Sequence, residues 1–170
     1  NSLVANVKQT LIFNPSFTFK DLEPNTGYTV TIIAINEWGM SSNSQPLLVN
    51  TIAEPPLDIK ATNITATSVN LSWSSIPGVL HYIIDQNDNI IAQTNKNQYS
   101  VTGLNPLTNY TFRVAVVTSA GQSDYSKKVK IKTLGLPPNA PTGLIYTNVT
   151  DASFYVYWSK VPDADQYDIY

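Results

Sequence analysis

Four Asn-x-Ser/Thr triplets stand out as residues of defined chemistry: Asn63-Ile-Thr65, Asn70-Leu-Ser72, Asn109-Tyr-Thr111 and Asn148-Val-Thr150. This is the acceptor pattern for N-linked glycan. Asn14-Pro-Ser16 has the spacing but is excluded by its proline. Asn, Ser and Thr supply 50 of the 170 residues, so a single sequon carries little weight. Other reactive groups are sparse. Asp163, Asp165 and Asp168 form the densest acidic cluster. A calcium loop needs six to eight oxygens, usually with a central Gly and a distal Glu, and this run has neither, so it reads as a solvated turn. Glycoside hydrolysis needs paired carboxylates in a cleft, which an alternating pattern does not supply. The single histidine, His81, lies beside Tyr82 at the start of a strand and has no paired nucleophile or acid. With no Cys at all, disulfides, thiolate zinc sites and Cys nucleophiles are excluded. The only basic run, Lys127-Lys128-x-Lys130-x-Lys132, fits an edge strand protected by charge. The one arginine, Arg113, is not part of an Arg-Gly-Asp triplet.

The bulk composition narrows the class further. Charged residues make up 13% of the chain and the formal net charge is −2, which excludes a strongly basic nucleic-acid footprint. A hydrophobic fraction of 42% with 11% aromatics suits a chain that buries a core rather than a disordered one. No run reaches the roughly 18 apolar residues of a membrane span. No leader-like stretch opens the sequence, so a secreted form is expected to be processed or excerpted. Nothing in the pattern calls for a metal or a cofactor.

The chain repeats itself. Leu22-Glu-Pro-Asn-Thr-Gly-Tyr28 returns 82 residues on as Leu104-Asn-Pro-Leu-Thr-Asn-Tyr110. Ser68-Val-Asn-Leu-Ser-Trp73, Ile76-Pro77 and Tyr82 return 85 residues on as Ser153-Phe-Tyr-Val-Tyr-Trp158, Val161-Pro162 and Tyr167. Within each repeat the period is two. Val69, Leu71 and Trp73 alternate with Asn70 and Ser72, and Tyr110, Phe112, Val114 and Val116 alternate with Thr111, Arg113 and Ala115. Short β-branched and aromatic runs bounded by Asn, Gly and Pro predict antiparallel strands. Asp85-Gln-Asn-Asp-Asn89 predicts a hairpin turn. About seven strands per period, without helical stretches, predict an all-β, two-sheet sandwich.

Trp73 on an early strand, Leu104-x-Pro-x-Thr-x-Tyr110, and a strand ending in Gly121-x-Ser123 resemble a fibronectin type III domain. The resemblance implies tandem seven-stranded immunoglobulin-like sandwiches. Residues 55–134 are then one complete domain, with strands A near 57–62, B near 68–73, C near 81–85, C′ near 90–94, E near 99–102, F near 110–118 and G near 127–133. Residues 1–54 correspond to a C-terminal part (C′-E-F-G), 135–138 to a linker, and 139–170 to an N-terminal part (A-B-C). Tyr28, Trp73, Tyr110 and Trp158 are expected in the structural core, with Tyr28 and Tyr110 at the family's tyrosine corner. The two partial repeats are expected to be completed by a longer chain or by a neighbouring copy, head to tail.

The outward phase of the strands holds the remaining candidates. Asn70 and Asn109 fall on it, and Asn63 and Asn148 align between A and B of successive repeats, so all four positions have room for a sugar. Ile33 and Ile35 lie outward on F of the first repeat, matching Ala115 and Val117 of the second. Tyr155 and Tyr157 lie outward on B of the last repeat, and Trp38 lies in an F–G loop. These five are expected to pack against neighbouring domains or chains. The expectation is a non-catalytic, extracellular or cell-surface, glycosylated array acting as filament, stalk or adhesive scaffold. A spacer or carbohydrate-contacting region of a secreted enzyme and a receptor ectodomain are the alternatives.

Overall fold

The computed structural model describes residues 15–170, which carry strands and turns and no helix. Toward the N-terminus, β1 (Gly27–Val30) pairs antiparallel with β4 (Leu47–Asn50), and β2 (Ile35–Asn36) pairs with β3 (Gly39–Met40) as a hairpin tip. The central part follows with β5 (Lys60–Thr62), β6 (Ser68–Ser72), β7 (His81–Gln86), β8 (Asn89–Thr94), β9 (Gln98–Thr102), β10 (Asn109–Thr118), β11 (Gly121–Gln122) and β12 (Val129–Lys132). A last hairpin joins β13 (Ile145–Thr147) to β14 (Tyr155–Tyr157).

The central strands form two sheets. One has the order β5-β6-β9; the other runs β8-β7-β10, with β12 and β11 both pairing on β10. Alternation decides which side chains meet between them: Val69 and Leu71 of β6 and Phe112, Val114 and Val116 of β10 are buried. Trp73 and Tyr82 lie edge to face with centroids 5.3 Å apart, and both belong to the buried cluster. Trp73 Nε1 is buried without a hydrogen-bond acceptor. Asn87 (φ 51°) and Asp88 (φ 65°) are successive left-handed residues in the β7–β8 hairpin, the backbone a tight two-residue connection needs.

Two strands are shorter than the sequence predicts by more than one residue. β5 begins at Lys60 rather than near 57, because Pro55 and Pro56 have no N–H to offer a ladder and Asp58 turns left-handed (φ 54°). β12 covers 129–132 rather than 127–133, because the preceding stretch bonds β10 through side chains. Val116 N donates to Ser123 Oγ (3.0 Å) and Val114 N to Ser126 Oγ (2.9 Å), both buried. The hydroxyls satisfy β10 donors that a regular strand would have paired.

The same local geometry recurs on either side. Ala34 N donates to Ser41 Oγ and Ile32 N to Ser44 Oγ, each one repeat before its counterpart in the central pair. Trp158 and Tyr167 lie edge to face at 5.2 Å, one repeat after Trp73 and Tyr82. Left-handed residues follow the same two offsets: Asn25 with Leu107, Asn63 with Asn148, and Gly78 with Asp163. Both flanks are open on the inner side, however. Ile32 is 70% exposed and Phe154 64% exposed, and Tyr28 and Trp158, expected in a core, are only half-buried. No described residue forms an opposing layer over them. The expected E portion of the first repeat, around Phe17 and Phe19, forms no strand, and its C′ portion lies outside the described residues. No strand forms around Tyr167.

Candidate functional site

Several hydrogen bonds fix the corner before β10. Asn105 N donates to Tyr110 Oη (2.9 Å), while Thr133 Oγ1 donates to Asn105 O (2.7 Å) and accepts from Thr108 N (2.9 Å). One residue, Asn105, is thus held at both its N–H and its C=O. The arrangement returns in the first flank, where Glu23 N donates to Tyr28 Oη (2.8 Å) and Thr51 Oγ1 to Glu23 O (2.7 Å).

The four sequon asparagines sit in different settings. Asn63 and Asn148 are exposed and left-handed (φ 49° and 50°). Asn tolerates that region better than most residues, so their alignment has a backbone cause besides any sugar. Asn109 is exposed at the start of β10, opposite Lys132. Asn70 is half-buried in the central strand of its sheet, where its Oδ1 accepts a hydrogen bond from Ser100 Oγ (2.8 Å).

The interface candidates divide. Trp38 is 84% exposed at the β2–β3 tip, where it lines a shallow depression with Ile35 and Met40. Tyr155 and Tyr157 are exposed on β14. Their register partners are Thr147 and Ile145, where the central sandwich has Thr62 and Lys60 opposite Asn70 and Ser72. Ile33, expected on the outward face, is half-buried, and the neighbouring Ile32 is the exposed one. β1 ends at Val30, so the strict alternation that placed Ile33 outward lapses there. Ala115, matched to Ile33, is fully buried: it pairs with Ile83 across β7, itself buried, so the outward face of this sheet is not simply solvated.

That outward face carries a feature the sequence reading missed. Asp85 is buried, and Arg113 Nε approaches its Oδ1 at 3.2 Å. Arg113 Nη2 also reaches Asp88 Oδ1 (2.9 Å), which Lys128 Nζ contacts at 3.2 Å. The guanidinium lies 4.3 Å from the Tyr125 ring centroid. The hydrogen bond with Asp85 raises the Arg113 pKa above its ordinary value. The network ties the β7–β8 hairpin to the chain entering β12. The available signal was that Asp85 on β7 is the direct register partner of the only arginine, on β10, once the two strands are paired.

Of the acidic cluster, Asp163 (φ 60°) sits in a turn, at the left-handed position that Gly78 (φ 71°) fills one repeat earlier, and Asp165 and Asp168 are exposed outside that turn. Among the described residues, no three His, Cys, Asp or Glu side chains converge as a metal site. His81 is half-buried opposite Val117. No helix of the described residues is long and apolar enough to cross a membrane.

A family model for the fibronectin type III domain matches residues 54–132. Human receptor-type tyrosine-protein phosphatase F is 32% identical over 141 residues, covering 75% of this chain and 7% of that protein. Rat neogenin is 28% identical over 166 residues, covering 88% of this chain and 12% of the relative. The chain therefore spans only a small part of the curated relatives it matches. Among solved structures, the crystal structure of FN3tt matches 48% of this chain and 94% of its own at 28% identity, with a TM-score of 0.44. The two-sheet arrangement, the paired tyrosine and tryptophan geometry and the family match agree on one assignment: residues 54–132 are a fibronectin type III domain.

Proposed function

We propose that the chain is a segment of an extracellular array of fibronectin type III repeats that works without catalysis, as a spacer or adhesive scaffold. The observation that carries this is the return of the hydroxyl and aromatic geometry in both flanks, at the spacing of the sequence repeat. In this reading residues 1–54 hold the C-terminal part of one repeat and 139–170 the N-terminal part of another, with 135–138 as linker. Their exposed inner faces are covered by the complementary strands, within a longer polypeptide or from a neighbouring copy stacked head to tail. Leaving several large apolar side chains wet would cost about 1.5–3 kcal/mol apiece. A receptor ectodomain is the second reading, favoured by the similarity to a receptor-type phosphatase.

The surface is proposed to be glycosylated. Asn63, Asn109 and Asn148 are exposed, and among the described residues no hydrogen bond engages the Asn70 amide nitrogen. Peptide mass spectrometry of native protein is expected to find hexose-containing adducts on at least two of the four. Four bare asparagines would remove the glycosylated part of the proposal. Saturable hydrolase or transferase turnover, lost with His81→Ala or one Asp substitution, would overturn the non-catalytic part.

A further inference from the structure

The chain has two joints, one on each side of the complete domain, and they are built differently. Asn25 occupies the left-handed turn before β1, and its Nδ2 donates to Pro77 O (2.9 Å) in the β6–β7 turn of the complete domain. This side-chain hydrogen bond crosses the first joint. Ala53, in the connecting segment, is buried as a member of the central apolar cluster.

Position for position, the second joint lacks each of these parts. The residue one repeat after Asn25 is Leu107, with the same backbone (φ 52°) and no donor to offer. A left-handed leucine is uncommon and strained, and this one is exposed over Gly135. The counterpart of Ala53 is Gly135, which is exposed. The connecting segment is also longer. Six residues separate Thr51 from the left-handed Asp58, and nine separate Thr133 from the left-handed Gly143. Every residue from 134 to 142 is exposed, and among the described residues no hydrogen bond or ion pair joins 55–134 to 139–170.

We infer that the first joint is a fixed one, latched by the Asn25–Pro77 hydrogen bond and the buried Ala53, and that the second is a swivel. Adjacent domains move relative to one another unless their interface is large and hydrophobic; at the first joint the short connection and the Asn25–Pro77 hydrogen bond narrow the range of angles instead. The longer connection and the exchange of Asn for Leu release the second joint. An array of such segments bends at chosen places rather than everywhere. This goes beyond the array proposal, and it holds whatever covers the flanking inner faces.

Backbone 15N relaxation on the full 170-residue chain tests it. Amides of 27–50 and 60–132 are expected to share one rotational correlation time, and those of 145–157 to show a shorter one. Asn25→Asp keeps a left-handed-tolerant residue but presents an acceptor to the Pro77 carbonyl, so the shared value should be lost. Inserting Gly-Ser-Gly between Glu54 and Pro55 should have the same effect while leaving each part's own hydrogen bonds in place. Joining Leu107→Asn to a deletion of 135–137 should bring 145–157 onto the common value. Separate tumbling of 27–50 in the unaltered chain, or a shared value surviving both the Asp variant and the insertion, would overturn the inference.

Discussion

Replacing Thr133 by Val is a sharp test of how the corner before β10 is held. The two side chains have nearly the same shape, so packing changes little, but the hydroxyl is lost. Thr133 is 2% exposed, and its Oγ1 both donates to Asn105 O at 2.7 Å and accepts from Thr108 N at 2.9 Å. The substitution therefore leaves one carbonyl and one amide without partners. A buried polar group so orphaned costs about 1–3 kcal/mol. Asn105 is exposed, which lets water reach its carbonyl, so the sum should fall near ~2–3 kcal/mol. Tyr110→Phe removes only the acceptor for Asn105 N and should cost about 1 kcal/mol. Both changes act on Asn105, so the double variant should depart from additivity by at least about 0.5 kcal/mol. The assay is urea unfolding of a chain trimmed to 54–134, followed by tryptophan fluorescence. With a slope of about 1 kcal/mol/M, Thr133→Val should lower the midpoint by about 2–3 M at unchanged slope. A Thr133→Val midpoint within about 0.5 M of the unaltered domain would refute the hydrogen-bond account of the corner.

Other substitutions probe the core and the outward face. Trp73→Ala should cost about 3–5 kcal/mol. Trp73→Phe should cost markedly less, because it also removes the buried indole N–H that lacks an acceptor; equal losses in calorimetry would contradict that. Arg113→Met strands the buried Asp85 carboxylate and should destabilise by about 2–3 kcal/mol, below the full penalty for a broken buried pair because the arginine is a quarter exposed. Asp88→Asn, at the solvated end of the network, should stay within about 1 kcal/mol of the unaltered domain in the same urea assay.

Much of the sandwich was legible because period-two alternation maps directly onto burial where both sheets are present. Val69, Leu71, Phe112 and Val114 follow it without exception. The β7–β8 turn was legible because Asn-Asp suits two left-handed residues. Alternation misled at Ala115 and Ile33. It assigns a face, whereas burial also depends on what crosses that face, here Ile83 opposite Ala115. The Arg113–Asp85–Asp88–Lys128 network was hidden because Arg113 and Lys128 lie far in sequence from Asp85 and Asp88 and meet them only once β10 pairs with β7. Serine replacement of ladder bonds at 123 and 126 left no periodic trace, since a serine reads as an ordinary turn residue. The half-burial of Tyr28 and Trp158 reflects neighbours, which local pattern does not encode.

The array proposal turns on whether the flanking inner faces need a covering layer. Sedimentation velocity over a range of concentrations, paired with amide exchange, compares the full chain with one trimmed to 54–134. The trimmed chain is expected to be a folded monomer. The full chain is expected either to associate with rising concentration, and to stop doing so with Trp158→Ala, or to stay monomeric with its amides at 27–50 and 155–157 exchanging faster than those of β6 and β10. A full-length monomer with both flanks as protected as β6 and β10 would contradict the account.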